Sequence, residues 1–124
     1  MTLLVDTTVL IGVLRNHQPT VARLDAVRDP PFVSAISVEE LLRGARPHEH
    51  DATERLLEWM VVAEVGEREA RQAAMWRNQY AALGRSLPQA DTLIAACAHG
   101  RGATVATANL KDFPMEELRV EHWP

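Results

Sequence analysis

The fold is decided by the first twelve residues, MTLLVDTTVLIG (residues 1–12), in which a single aspartate interrupts an apolar run. The segment TLLV before Asp6 is rich in β-favouring residues and predicts a short, buried strand. The segment TTVLIGVLRN after it places apolar residues at helical spacing and predicts a helix. Asp6 would therefore lie where the strand ends. Because an unpaired charge is costly to bury, we expect this carboxylate to be semi-exposed.

The rest of the chain repeats this alternation of short apolar strands and helices. Further strands are predicted in PFVSA, VVAEV, ATVATA and LRVEHW, and helices from Pro19 to Val27 and in SVEELLRGA, DATERLLEWM, residues 67–83 and PQADTLIAACAHG. This order predicts an α/β fold with a mostly parallel sheet. In such sheets, ligands bind outside the carboxyl ends of the strands, which is where Asp6 would lie.

Length and charge restrict the classes of function. The 124 residues fit one domain, residues 1–124, and the net charge of −4 gives no overall positive field. A nucleic acid would have to be attracted by a local cluster or by a bound cation. The single cysteine, Cys97, excludes a disulfide framework and fits a reducing compartment. No apolar run is long enough to span a membrane, and no signal peptide is recognisable, so we expect a cytoplasmic protein.

Three acidic residues occupy similar positions, at or near the start of a predicted helix. These are Asp6, Glu40 and Asp91. Helices that follow parallel strands begin at the same edge of the sheet, so Asp6 and Glu40 can converge there, and Asp91 can join them if its helix enters from that edge. Each also has a purely local interpretation: Asp6 as a helix cap, Glu40 as the partner of Ser37 in a first-turn capping box, and Asp91 as compensation of the helix dipole.

A cluster of carboxylates favours a particular cofactor. Carboxylates repel one another unless a cation neutralises them or protons are shared. Oxygen ligands without histidine or cysteine indicate Mg²⁺ or Mn²⁺, which bind phosphates and generate hydroxide from water. The sequence HEH at residues 48–50 is a weaker candidate, because it lies in a breaker-rich connection with no third ligand. We therefore interpret it as a solvated loop.

The stretch MWRNQYAALGR places Trp76 and Tyr80 one helical turn apart, beside Arg77 and Arg85. One interpretation is an aromatic pair packed into the core or a subunit interface. The other is a surface that stacks on bases and contacts phosphates of single-stranded nucleic acid. We favour packing, and we expect this helix and the LLEWM helix to supply the apolar surface of a homodimer.

Four segments in order resemble the PIN-domain ribonucleases, and most closely the VapC-type toxins of bacterial toxin–antitoxin pairs. They are LLVDTTVLIG, SAISVEELLRGA, LPQADTLIAACA and TVATANLKDF. The resemblance implies that Asp6, Glu40 (rather than Glu39) and Asp91 are the acidic site residues and metal ligands. It also implies that Thr8 helps to order the site.

The fourth segment departs from the family pattern. Asn109 stands where many members have an aspartate, and Asp112 is close by but does not occupy the motif position. We include Asn109 among the catalytic residues. A neutral amide there weakens the case for a second, tightly held metal.

The resemblance implies a PIN-like three-layer α/β/α sandwich and an Mg²⁺- or Mn²⁺-dependent endoribonuclease. In such an enzyme, a metal-bound water hydrolyses single-stranded regions of RNA. The resemblance also implies a homodimer and a cognate VapB-type antitoxin, whose basic side chain would enter the acidic site. The alternative is a PIN-fold module that binds RNA or protein without catalysis.

Overall fold

The computed structural model describes all 124 residues and contains five strands and six helices. The strands are β1 (Leu3–Val5), β2 (Phe32–Ser34), β3 (Val61–Ala63), β4 (Thr104–Thr107) and β5 (Val120–His122). The helices are α1 (Thr7–Leu14), α2 (Gln18–Asp25), α3 (Ala35–Gly44), α4 (His50–Glu58), α5 (Glu67–Ala82) and α6 (Gln89–Gly100). Each predicted strand and helix is present, with ends that differ by a few residues.

The five strands form one sheet in the order β3-β2-β1-β4-β5, and every pair of neighbours is parallel. The chain first builds the sheet from β1 towards β3 and then crosses back to add β4 and β5 on the other side of β1. The strand order therefore reverses between β1 and β4. In parallel α/β folds, this switch point leaves a crevice at the carboxyl ends of the strands.

Two hydrophobic cores pack on opposite faces of the sheet. Leu4 belongs to the core formed with α5 and α6, whereas its neighbour Val5 belongs to the core formed with α1, α2, α3 and α4. This division follows from the strand geometry, because successive side chains point to opposite faces. Cys97 is fully buried in the first core, as expected for a small core residue. The result is the predicted three-layer α/β/α arrangement.

The predicted start of α3 was wrong. The helix begins at Ala35, and its N-cap is Ser34, whose hydroxyl accepts a hydrogen bond from the Ile36 N–H. Ser37 therefore lies inside the helix, and Glu40 lies beyond its first turn. The capping-box interpretation of these two residues is excluded. The helix starts earlier because Ser34 is the last residue of β2, where it pairs with Ala63 of β3.

The aromatic residues of α5 pack against the protein, and the interpretation as a base-stacking surface was wrong. Trp76 is 1% exposed, and its indole N–H donates to Glu117. The Tyr80 hydroxyl donates to the carbonyl of Pro114. Trp76 therefore offers no surface to a second subunit. The exposed large apolar residues of this part of the chain are Trp59 after α4, Val61 and Val62 in β3, Met75 in the middle of α5 and Leu83 at its end.

Two smaller expectations concern the histidines and the membrane. Residues 47–49 form a short 3-10 turn and His50 begins α4, so the HEH stretch is helical in part, and both of its histidines are exposed. None of the helices combines the length and the apolar character needed to cross a membrane.

Candidate active site

Asp6 is the most buried acidic residue of the molecule and lies between the ends of β1 and β4. Its carboxylate accepts hydrogen bonds at Oδ1 from the Val9 N–H (3.1 Å) and the Thr8 hydroxyl (2.6 Å). At Oδ2 it accepts from the Thr107 hydroxyl (2.5 Å). The side chain is only 3% exposed, so the expectation of a semi-exposed carboxylate was wrong. Burial is possible because three donors satisfy the charge.

The pKa of Asp6 reflects this balance. Burial raises the pKa above its ordinary value of 3.8, because removal from water disfavours the charged form. The hydrogen bonds from Thr107, Thr8 and Val9 oppose this rise, since they stabilise the carboxylate. Asp6 is also the N-cap of α1, so its local and its functional interpretations are compatible.

Thr8 and the residues that follow β4 form one hydrogen-bonded unit around Asp6. The Thr8 hydroxyl lies 3.4 Å from that of Thr107 and accepts from the Ala108 N–H (3.0 Å). The Asn109 N–H donates to the Thr107 hydroxyl (3.0 Å). Thr8 therefore holds the carboxylate of Asp6 and also ties α1 to the end of β4.

Glu40 reaches the same edge of the sheet from α3. Thr7, the first residue of α1, donates its hydroxyl to Glu40 Oε1 at 2.7 Å. The Ser37 hydroxyl, one helical turn before Glu40, lies 2.8 Å from that of Thr7. Neither hydroxyl was identified from the sequence as part of this arrangement. They fix one oxygen of Glu40 and leave Oε2 without a protein partner.

Asp91 completes the convergence from the first turn of α6 and has no hydrogen-bond partner for its side chain. Burial is the largest cause that raises its pKa, and the charges of Asp112, Glu40 and Asp6 follow in that order. Together they raise the pKa of Asp91 to about 6. The three predicted acidic residues are thus close enough for their charges to interact.

Asp112 is the acidic residue that the sequence analysis left outside the site. It lies in a 3-10 turn at Leu110–Asp112, and its Oδ2 accepts a hydrogen bond from the Asn109 side-chain amide at 3.0 Å. After burial, the charge of Asp112 is the largest cause of the raised pKa of Asp91. The only sequence signal was its spacing of three residues from Asn109. In the structure, Asn109 positions Asp112, and Asp112 supplies the fourth negative charge.

We call the carboxylates of Asp6, Glu40, Asp91 and Asp112 the acidic cluster. No basic side chain forms a hydrogen bond with any of them. Their hydrogen-bond donors are hydroxyl groups, one side-chain amide and one backbone N–H. No three Asp, Glu, His or Cys side chains are grouped closely enough to hold an ion by themselves. Mg²⁺ does not need such a cage, because it usually keeps several waters and binds one or two carboxylates. An all-oxygen donor set with unneutralised charge fits Mg²⁺ or Mn²⁺.

The raised pKa of Asp91 predicts how stability depends on pH without a metal. Because the folded-state pKa of about 6 exceeds the ordinary value of 3.8, the folded protein binds this proton more tightly than the unfolded chain. Ionisation of Asp91 therefore lowers stability progressively as the pH rises through 6. In EDTA, Asp91→Asn should match wild type at about pH 4 and melt at a higher temperature at about pH 8.

Thermal unfolding followed by circular dichroism measures this difference. Glu58→Gln, at an exposed residue of α4, controls for the loss of one negative charge. A lower melting temperature for Asp91→Asn than for wild type at about pH 8 would show that burial and the neighbouring charges do not destabilise ionised Asp91.

Comparison with known proteins places the chain in a family. The family model for the PIN domain matches residues 3–114. Ribonuclease VapC10 of Mycobacterium tuberculosis is 36% identical over 120 residues, which cover 93% of this chain and 88% of that protein.

Solved structures give the same result. VapBC-1 from nontypeable Haemophilus influenzae superposes with a TM-score of 0.85 at 25% identity and covers 99% of this chain and 98% of its own. DNA-bound VapBC from Salmonella typhimurium superposes with a TM-score of 0.89 at 24% identity and covers 100% of this chain and 99% of its own. This second match shows that the fold is the same. The residues that the PIN-domain model matches, 3–114, include all four members of the acidic cluster. This chain therefore belongs to the PIN-domain family, with VapC-type ribonucleases among its relatives.

Proposed function

We propose that this protein is the endoribonuclease toxin of a toxin–antitoxin pair and that it hydrolyses single-stranded regions of RNA with Mg²⁺ or Mn²⁺. The observation that carries the proposal is the convergence of Asp6, Glu40 and Asp91, without any compensating basic side chain. The 36% identity to a ribonuclease over most of the chain supports it. A non-catalytic PIN module has no comparable need for these charges.

The residues have distinct tasks in this proposal. Asp6 and Asp91 would hold the ion, Asp6 from a rigid, hydrogen-bonded position and Asp91 with both oxygens unused by the protein. A bound Mg²⁺ or Mn²⁺ lowers the pKa of coordinated water and offsets charge on the phosphoryl oxygens. Asn109 would act through Asp112, whose carboxylate it orients.

Glu40 is the better choice for the proton acceptor. Both oxygens of Asp6 already accept hydrogen bonds, so its remaining lone pairs would be used by the ion and not by a proton. Glu40 is half-buried, and only its Oε1 is used, by the Thr7 hydroxyl. Its Oε2 is therefore free to accept a proton from the attacking water. Thr7 and Ser37 would hold the carboxylate in one orientation for this step.

The proposal extends to protein partners. A cognate antitoxin of the VapB type would inhibit by placing an arginine among the carboxylates, because a guanidinium pairs with carboxylates in bidentate fashion. The VapBC assemblies from Haemophilus influenzae and Salmonella typhimurium support a partner of this kind. A homodimer remains part of the proposal, with the exposed side chains of Trp59, Val61 and Val62 as apolar surface.

The role of Glu40 is tested against its neighbour on α3. Glu40→Gln should lower kcat for RNA cleavage by about 10²- to 10⁴-fold, the usual contribution of a general base. Glu39→Gln should leave kcat unchanged, because Glu39 is exposed and pairs with Arg43. Steady-state cleavage of a fluorescent RNA oligonucleotide measures both. Equal effects of the two variants would remove Glu40 from the catalytic residues.

The chemistry is tested by end-group analysis of cleaved RNA. Attack by water predicts a 5′-phosphate and a 3′-hydroxyl, and EDTA should abolish cleavage. Attack by the 2′-hydroxyl of RNA would leave a 2′,3′-cyclic phosphate instead. Cyclic ends, or cleavage that survives EDTA, contradict the mechanism. RNA binding without any cleavage would favour the non-catalytic module.

A further inference from the structure

An open cleft of about 590 Å³ lies between α5 and the loop that leads to α6. Arg77 and Asn78 line it from the helix, and Gly84, Arg85 and Ser86 line it from the loop. None of its lining residues is acidic. The cleft is therefore a positively charged surface on a protein whose net charge is −4.

The two arginines of this cleft are held in place by backbone carbonyls. Arg77 donates from Nε to the Leu87 carbonyl at 3.1 Å, and Arg85 donates from Nη2 to the Lys111 carbonyl at 2.5 Å. Neither forms an ion pair, in contrast to Arg23, Arg43 and Arg71. Their charges are uncompensated, and the remaining N–H groups of both guanidinium groups are free.

The same bonds connect the cleft to the acidic cluster. Leu87 is 3% exposed and lies four residues before Asp91, so its anchoring fixes the approach to α6. Lys111 directly precedes Asp112. The two arginines are thus bonded to the chain segments that carry Asp91 and Asp112.

We propose that this cleft, which we call the arginine cleft (Arg77, Asn78, Gly84, Arg85 and Ser86), binds backbone phosphates of the RNA next to the cleaved bond. The proposal rests on the proposed ribonuclease function. RNA is repelled by the acidic cluster and meets no overall positive field, so its capture needs local cations. Guanidinium groups with free N–H donors are suited to phosphate oxygens. Asn78 and Ser86 add neutral donors beside them.

The aromatic residues and the arginines of the stretch MWRNQYAALGR have different environments in the structure. Trp76 and Tyr80 cannot stack on bases, because the first is buried and the second donates its hydroxyl to Pro114. The neighbouring Arg77 and Arg85 remain on the surface. The cleft should therefore contact phosphates and not bases, and it should bind RNA with little preference for sequence.

The test is the salt dependence of RNA binding by the double variant Arg77→Gln, Arg85→Gln. For single strands, each phosphate contact contributes about 0.7 to the slope of log K against log salt, so this variant should lose about 1.4. Its affinity should fall by roughly an order of magnitude at ~0.1 M salt. Fluorescence anisotropy of a labelled single-stranded RNA in EDTA measures both without turnover.

Two control variants test whether the effect comes from the positive charge of the arginine cleft. One removes charge elsewhere, and the other keeps the charge in the cleft. The double variant Arg28→Gln, Arg119→Gln removes the same amount of positive charge. Both residues are exposed and precede β2 and β5, at the amino ends of the strands. This variant should keep the wild-type salt slope. Arg77→Lys, Arg85→Lys keeps the charge and should also keep most of the slope. If the lysine variant behaves as the glutamine variant, the arginines act by tethering the loop, and the proposal is wrong.

Cleavage kinetics distinguish failure of this proposal from failure of the proposed function. With Mg²⁺, Arg77→Gln, Arg85→Gln should raise KM and leave kcat unchanged, because contacts to phosphates that neighbour the cleaved one are made equally in the bound substrate and in the transition state. An unchanged KM and salt slope in a protein that still cleaves RNA would overturn the arginine cleft alone. A wild-type protein that neither binds nor cleaves RNA would overturn both.

Discussion

The buried carboxylate of Asp6 is the interaction on which the rest of the site depends. It accepts from Val9 at the start of α1, from Thr8 in the same turn and from Thr107 at the end of β4. These bonds join the two strands between which the strand order reverses. A side chain without an acceptor at this position would leave those donors unsatisfied, at a cost of about 1–3 kcal/mol for each buried group.

The partners of the acidic cluster share a property that bears on function. Thr7, Thr8 and Thr107 donate hydroxyl groups, and Asn109 donates an amide. Neutral donors orient carboxylates without cancelling their charge. The protein therefore keeps several negative charges close together, and their repulsion adds to the effect of burial in raising the pKa of Asp91. An external cation, either a divalent metal or the arginine of a partner, is the natural complement of such a site.

The fold was predictable because its signals are local. Each strand is a short apolar run, and each helix has apolar residues at helical spacing, so both types of element could be assigned from neighbouring residues. The carboxyl-edge position of Asp6 and Glu40 followed from this alternation, whereas that of Asp91 did not, because α6 follows a helix and a loop and not a strand. The errors came from contacts between distant segments. Thr107, which closes the environment of Asp6, is 101 residues away in sequence, and no local pattern indicates that bond.

The other errors have the same origin. Ser37 has the spacing of a helix cap with Glu40, but the pairing of Ser34 with β3 places the cap three residues earlier. Asp112 does not occupy the family motif position, yet the 3-10 turn brings it to the Asn109 amide and near Asp91. Sequence reasoning therefore identified the acidic residues of the motifs and missed the side chains that tertiary structure adds to them.

The central claim is that the acidic cluster retains its charge in order to bind a divalent cation. Calorimetric titration of Mg²⁺ into wild type, into Asp91→Asn and into Asp6→Asn, Asp91→Asn tests this claim most directly. Glu39→Gln, Glu58→Gln provides the control for equal loss of charge, with folding of each variant verified by circular dichroism. We expect one binding event in wild type and in the control, with weaker binding in Asp91→Asn and the weakest in the double variant. Equal Mg²⁺ affinity in all four proteins would contradict the claim.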